Sequence, residues 1–203
     1  MSGSVRRPGS IAPAALAALL GGLAACATDD AAPSGPPPIP AVSAPEALAA
    51  RLPASAASFQ RGAVASLSEG RGGREVAYAT TGRTQRAAGF IQVLAPAAPL
   101  PDGPNSPEAS AEFTRWTQEV QQGGGPHRRL RLVREADLPA AAPLFRCAEL
   151  EGTYGRQAVE SFVCVGAAGG QMLRLRVSMP RRDPAVAQPR AFVEEVARAL
   201  RGG

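Results

Sequence analysis

The apolar and polar positions of this chain follow three different patterns in succession. An apolar run lies near the N-terminus, a proline-rich stretch follows it, and the remainder alternates between strand-like and helix-like periods. Three short apolar runs, over residues 63–67, 75–81 and 89–94, have strand character and are separated by glycines. We therefore predict three strands in the first part of the folded region.

Helix signals occur at three places. Ser43 and Glu46 form a capping-box pattern, which predicts a short helix that runs to Leu52. A second helix is predicted between Ser106 and Gly123, because its apolar residues form one stripe: Ala109, Phe113, Trp116 and Val120. A C-terminal helix is predicted from a similar stripe: Phe192, Val193, Val196 and Leu200.

A hairpin with a disulfide is predicted around the turn Gly155-Arg156. If these two residues form the turn, the residue numbers of every opposed pair on the flanking strands add up to the same total. This places Cys147 opposite Cys164. Directly opposed Cβ atoms approach disulfide distance. A redox or metal-binding pair is the alternative, but the spacing is not CxxC and no histidine lies nearby in sequence. A structural disulfide is therefore favoured.

Strands are also predicted over residues 128–133 and 172–179, and their alternation indicates one apolar and one charged sheet face. We expect the charged face to carry three glutamates and four arginines: Glu149, Glu151, Glu160, Arg129, Arg131, Arg174 and Arg176. The arginines could form a binding face for anionic lipid, glycan or phosphate. Alternatively, they pair with the glutamates on a solvated face, which is the simpler interpretation.

These elements predict the α+β class. Strand runs interrupted by amphipathic helices favour a mainly antiparallel sheet packed with an internal and a C-terminal helix. We expect a single globular domain over residues 43–203, with one cross-strand disulfide.

The N-terminal run predicts where the protein is located in the cell. Arg6 and Arg7 precede an apolar core, which ends in Leu23-Ala24-Ala25-Cys26. This tetrapeptide resembles the lipobox of bacterial lipoproteins. The resemblance implies cleavage before Cys26, a diacylglycerol thioether on its sulfur and acylation of the new amine.

The resulting organisation has three parts. Residues 1–25 are the expected signal peptide, residues 26–42 the lipidated cysteine and a proline-rich linker, and the globular domain follows. A transmembrane anchor is disfavoured because the apolar run is too short, and plain secretion remains the other alternative. Ala27 follows the cysteine, rather than the aspartate of an inner-membrane retention signal. This favours lipid anchoring at the periplasmic face of the outer membrane.

Charge and motifs narrow the functional classes. The formal charge is +5, and it falls to +3 without the two signal-peptide arginines, which is too mild to indicate nucleic-acid binding. We expect the membrane, through the anchor, and an envelope protein as partners, with no cofactor and no metal. The sequence has no GxSxG, P-loop or GxGxxG motif, so we do not expect an enzyme. The alternative is an envelope hydrolase for glycan or peptide that uses Glu149, Glu151 and Glu160, or His127.

The C-terminal part also carries a resemblance. A strand hairpin ending in MLRLRVSMP is followed by an amphipathic FVEEVARAL helix, an order similar to that of the PsbP-like and DcrB-like group of small α/β domains. Leu52-Pro53 and the segment FQRG at 59–62 also resemble uncharacterised bacterial envelope proteins of similar size. The resemblance implies a non-enzymatic, partner-binding or accessory domain.

Overall fold

The structure is a computed structural model that describes residues 43–67, 72–82, 86–123 and 125–202. The predicted signal peptide, the linker and Cys26 lie outside the described residues. None of the described helices has the length and hydropathy needed to span a bilayer.

The described residues form three helices and one antiparallel sheet of eight strands, which confirms the α+β class. The helices are α1 Ala44–Ala50, α2 Pro107–Gln122 and α3 Pro189–Arg201. The strands are β1 Ser55–Ala56, β2 Phe59–Ser66, β3 Arg74–Thr80, β4 Ala88–Leu94, β5 Arg128–Leu138, β6 Phe145–Tyr154, β7 Gln157–Ala168 and β8 Gln171–Pro180. Their spatial order is β1-β2-β3-β4-β8-β7-β6-β5.

The helix signals in the sequence correspond to the observed helices. The Ser106 hydroxyl accepts a hydrogen bond of 3.0 Å from the Ala109 amide at the start of α2, and Gly123 lies at the C-terminal cap. Every residue of the predicted α2 stripe is buried. At α1 the Ser43 hydroxyl accepts from the Glu46 amide at 3.4 Å, which is one of the two hydrogen bonds of a capping box, while the Glu46 carboxylate accepts from Arg74.

The central hairpin has the predicted register. Tyr154 pairs with Gln157 across the Gly155-Arg156 turn, and Cys147 lies opposite Cys164. The two cysteines form a disulfide and are buried, with exposed fractions of 1% and 0%. The prediction of this disulfide is therefore confirmed.

Helices cover both faces of the sheet, which differs from the predicted apolar and charged faces. On one face, here called the α3 face, the disulfide and β8 residues such as Leu173 and Leu175 share a core with Leu48 of α1 and Phe192 of α3. On the other, here called the α2 face, the stripe of α2 packs against four buried sheet residues: Ala148, Leu150, Val163 and Val165. The prediction of a single apolar face is thus wrong, because both faces are buried at their centres.

The four arginines predicted to share a face are divided between the two. Arg131 pairs with Glu151 on the α3 face, and Arg129 lies on that same face because it is two residues away. Arg174 and Arg176 pair with Val165 and Val163, respectively, and so lie on the α2 face. The expected combined face of Arg129, Arg131, Arg174 and Arg176 does not exist. The alternation predicted for each strand is confirmed, but the predicted phase of β8 relative to β6 is wrong.

Candidate functional site

The three glutamates singled out in the sequence lie together on the α3 face. Glu151 and Glu160 are directly opposite each other on β6 and β7, and Glu149 is two residues from Glu151 on the same strand. All three line a cavity of about 370 Å³ that residues of β5–β8 form with the start of α3. This cavity is the candidate functional site.

Glu149 binds two arginines. Arg134 donates through Nη2 at 2.7 Å to Oε1 and through Nε at 3.2 Å to Oε2, which is a bidentate geometry. Arg190, in the first turn of α3, donates to the same Oε1 at 3.2 Å. Hydrogen bonding to Glu149 raises the pKa of Arg134, and the coulombic attraction acts in the same direction. Glu149 therefore links the edge strand β5 to the N-terminal end of α3.

A β-bulge places Arg134 at this position. Leu132 pairs with Leu150 and Arg134 pairs with Glu149, so Val133 is an extra residue in β5. With one-to-one pairing, Val133 would lie opposite Glu149, and Arg134 would lie on the α2 face. The bulge thus directs the guanidinium toward the cavity.

Glu151 and Glu160 share one arginine, Arg181, and Glu151 also contacts Arg131. Arg131 donates to Glu151 at 3.1 Å, and Arg181 donates to the same carboxylate at 3.2 Å. The Arg181 Nε atom is 3.9 Å from Glu160, which makes no closer ion pair within the described residues. Burial raises the pKa of Glu160, and the negative charge of Glu151 adds to this effect while Arg181 opposes it. Glu160 is therefore the least compensated of the three carboxylates.

The floor of the cavity is apolar. It consists of Phe162, Val177 and Met179, which are buried in the sheet, and Gln188 and Pro189 line the side formed by the start of α3. A ligand in this cavity would meet charged groups at the rim and an apolar surface below. Such a combination suits a molecule or peptide segment with both polar and apolar parts.

His127 lies apart from the glutamates. It belongs to a 3-10 turn before β5 and lines a separate, shallow depression with Arg129 and Arg156. Since β5 begins at Arg128 and Glu151 lies opposite Arg131, the strand spacing separates His127 from Glu151 by roughly 13 Å. Among the described residues, no cluster of three potential metal ligands occurs.

Arg174 and Arg176 have other roles in the packing. The Arg174 guanidinium is 2.5 Å from Glu112 of α2 and lies 5.7 Å from the centroid of the Trp116 ring. The Arg176 Nε atom donates to the Ser161 hydroxyl at 3.3 Å. Arg174 thus contributes to the contact between α2 and the sheet, and neither side chain lines the cavity.

The sequence patterns do not predict three of the arginines that contact the cavity glutamates: Arg134, Arg181 and Arg190. Arg134 lies beyond the predicted end of its strand, Arg181 directly follows β8, and Arg190 lies in the first turn of α3. Their positions depend on the bulge and on how α3 packs, and neither is a local sequence signal. The proline that begins α3 places Arg190 in the first turn of that helix, but it does not predict the contact with Glu149.

Comparison with family models, with curated protein sequences and with solved structures found no significant match to this chain.

Proposed function

We propose that this chain is a lipid-anchored protein of the bacterial cell envelope whose folded part is a non-catalytic binding domain. The anchor is proposed from Leu23-Ala24-Ala25-Cys26 and the basic and apolar segments before it. Two or more acyl chains hold a protein firmly at a bilayer, since each buried CH₂ contributes about 0.8 kcal/mol.

The observation that carries the binding role is the cavity over the three glutamates. Its volume of about 370 Å³ lies within the range of small-ligand sites, and its floor is apolar. Glu149 and Glu151 each contact two guanidinium groups, so their charges are compensated. The guanidinium groups hold these two side chains in place, and a fixed polar rim above an apolar floor suits a binding site.

The anchor is tested by the variant Cys26→Ser. Expressed in its bacterial host, this variant should leave the membrane fraction or accumulate as an uncut precursor, while the wild-type chain should sediment with membranes. Ala27→Ser is the matched control, because it introduces the same side chain at the next position and leaves Cys26 and the disulfide in place. Acylation of the Cys26→Ser variant at the wild-type level would refute the anchor.

The cavity is tested by crosslinking in native membranes. A photoreactive side chain in place of Gln188, which is exposed and lines the cavity, should capture a specific partner or ligand. The same side chain in place of Gln122, at the exposed end of α2, should not. Identical adducts at both positions, or no adduct at Gln188, would argue against a binding site in the cavity.

An envelope hydrolase acting on glycan or peptide is the second candidate. The observation in its favour is Glu160, because a carboxyl with a raised pKa that lies opposite a second glutamate resembles the general acid of a carboxyl pair. Under this alternative, Glu160→Gln abolishes turnover and leaves binding largely intact. Under the binding proposal, neither the purified wild-type protein nor the Glu160→Gln variant releases product from envelope glycan or peptide. His127, the other residue of the hydrolase alternative, lies outside the cavity.

A further inference from the structure

The strand β5 forms one edge of the described sheet. It is the last strand in the spatial order, and residues 131–135 are exposed along it. Two of its apolar side chains, Leu132 and Val133, are 42% and 47% exposed. An edge strand leaves backbone N–H and C=O groups available for pairing with another chain.

The segment before the bulge, Arg128–Leu132, is here called the docking edge. Its pairing with β6 is regular, from Arg128 opposite Tyr154 to Leu132 opposite Leu150. Regular pairing on one side leaves the other side of the strand straight enough for a further strand to add. The bulge at Val133 then sets the limit of that surface.

The two faces of the docking edge have different chemistry. Arg129 and Arg131 lie on the α3 face, whereas Leu130 and Leu132 lie on the α2 face. Arg129 has no carboxylate partner within the described residues, and Arg131 contacts Glu151 through one nitrogen of its five-donor guanidinium. Leu130 packs at the margin of the α2 core, which extends the apolar surface toward the edge.

Charge decides between the possible occupants. In an antiparallel pairing of two copies centred on Leu130, Arg129 of each copy would lie opposite Arg131 of the other. Like charges directly opposite each other on neighbouring strands are destabilising. A peptide with carboxylates at those positions would instead form cross-strand ion pairs, and apolar residues between them would extend the Leu130 and Leu132 surface.

We propose that the docking edge binds an extended peptide in which acidic and apolar residues alternate, by adding it as a further strand beside β5. The partner would place its carboxylates on the α3 face and its apolar side chains on the α2 face. This surface is separate from the cavity floor, and the proposal does not depend on the cavity binding a ligand.

Hydrogen exchange with a defined probe tests this proposal on the full-length protein. The probe is a short synthetic peptide of alternating glutamate and valine, and the matched peptide carries lysine in place of glutamate. We expect the glutamate peptide to slow amide exchange within residues 128–132, and the lysine peptide to leave it unchanged. Protection is expected because added strand pairing engages the outer backbone groups of β5.

Two variants make the test specific. Arg129→Glu should weaken binding of the glutamate peptide about fivefold or more, since an attractive cross-strand pair becomes repulsive. This variant is expected to fold, because Arg129 is exposed and its cross-strand neighbour is Thr153. Arg86→Glu makes the same charge change at an exposed position between β3 and β4, and should bind like the wild type.

Three results would overturn the proposal. The first is equal binding of the lysine peptide, and the second is binding of the glutamate peptide without protection of β5. The third is protection of the same amides by self-association at higher protein concentration without peptide, which would assign the edge to a second copy. Each leaves the crosslinking test at Gln188 unaffected, so failure here is distinguishable from failure of the cavity proposal.

Discussion

Glu151 and Glu160 lie directly opposite each other on β6 and β7, with the Arg181 guanidinium within 3.2 Å of the first and 3.9 Å of the second. Opposed carboxylates on neighbouring strands repel each other, and one arginine compensates them unequally. The raised pKa of Glu160 follows from its burial and from this repulsion. The cavity therefore contains one carboxyl that resists ionisation.

This relationship predicts a pH-dependent stability. Because the pKa of Glu160 is higher in the folded chain than in the unfolded chain, the folded state binds more protons in the interval between the two values. The contribution of Glu160 to stability is thus fully present below the unfolded pKa, and is lost as the pH rises through the folded pKa. Glu160→Gln should accordingly raise the melting temperature at pH 7. The difference in melting temperature between the variant and the wild type should disappear at about pH 4.

Thermal melts of both proteins between these pH values measure the effect. The control is Glu108→Gln, in the first turn of α2, where a carboxylate is favoured by the helix dipole. This control should not stabilise the protein at pH 7. A Glu160→Gln variant that melts below the wild type at pH 7 would contradict our description of the cavity.

The disulfide should contribute substantially to stability. The sequence separation of Cys147 and Cys164 is 17 residues, and closing a loop of that size stabilises a fold by about 3 kcal/mol in the chain-entropy model. A reductant should therefore lower the urea midpoint of the wild type. It should have no effect on the Cys147→Ala/Cys164→Ala double variant, which serves as the control. Two free thiols in unreduced wild-type protein, in addition to any at Cys26, would contradict the bond.

The packing of α2 predicts a large effect at Phe113. Its side chain is buried against the α2 face of the sheet, so Phe113→Ala should lower the free energy of unfolding by about 3–5 kcal/mol. Fluorescence of Trp116, the only tryptophan of the chain, reports this unfolding directly. Gln118→Ala changes an exposed position of the same helix and should alter stability little. Equal stability of the two variants would mean that α2 does not pack on the sheet.

Gly152 should not tolerate a side chain. A Cβ atom at this position would overlap the backbone carbonyl of Arg129, so β5 would have to move away from β6. Gly152→Ala should destabilise the protein by about 1–3 kcal/mol in urea denaturation, and it should also weaken any binding at the docking edge. At Gly62 the nearest atom to an added Cβ is 3.6 Å away, so Gly62→Ala is the matched control and should be nearly neutral.

Local signals explain which parts of the fold could be predicted from the sequence. Cys147 and Cys164 are joined by a two-residue turn, so their register follows from position counting. The stripe from Ala109 to Val120 lies within one helix, and its period is sufficient to assign the buried side. Predictions of this kind need no knowledge of distant parts of the chain.

Alternation along a single strand does not predict on which sheet face the arginines of β8 lie. Alternation along β8 assigned Arg174 and Leu175 to opposite faces correctly, but it could not give the phase of β8 relative to β6. Arg174 occupies a helix-covered face because its long side chain lies over Trp116 and reaches Glu112. The presence of Arg174 therefore does not show that its side of β8 faces solvent.

The cavity required tertiary information for the same reason. Alternation along the β6–β7 hairpin predicts that the three glutamates share one face, and all three line the cavity. Their partners, however, depend on a one-residue bulge at Val133 and on the packing of α3. These determinants lie outside any single element, so the charge compensation of the cavity could not be derived from sequence periodicity.

The most direct test of the proposed envelope function is mass spectrometry of the N-terminal peptide of the protein isolated from the cells that produce it. Our proposal predicts that this peptide begins at Cys26 and carries a diacylglycerol thioether and an amide-linked acyl chain. A peptide that begins elsewhere, or that contains Cys26 without lipid, would contradict the proposal.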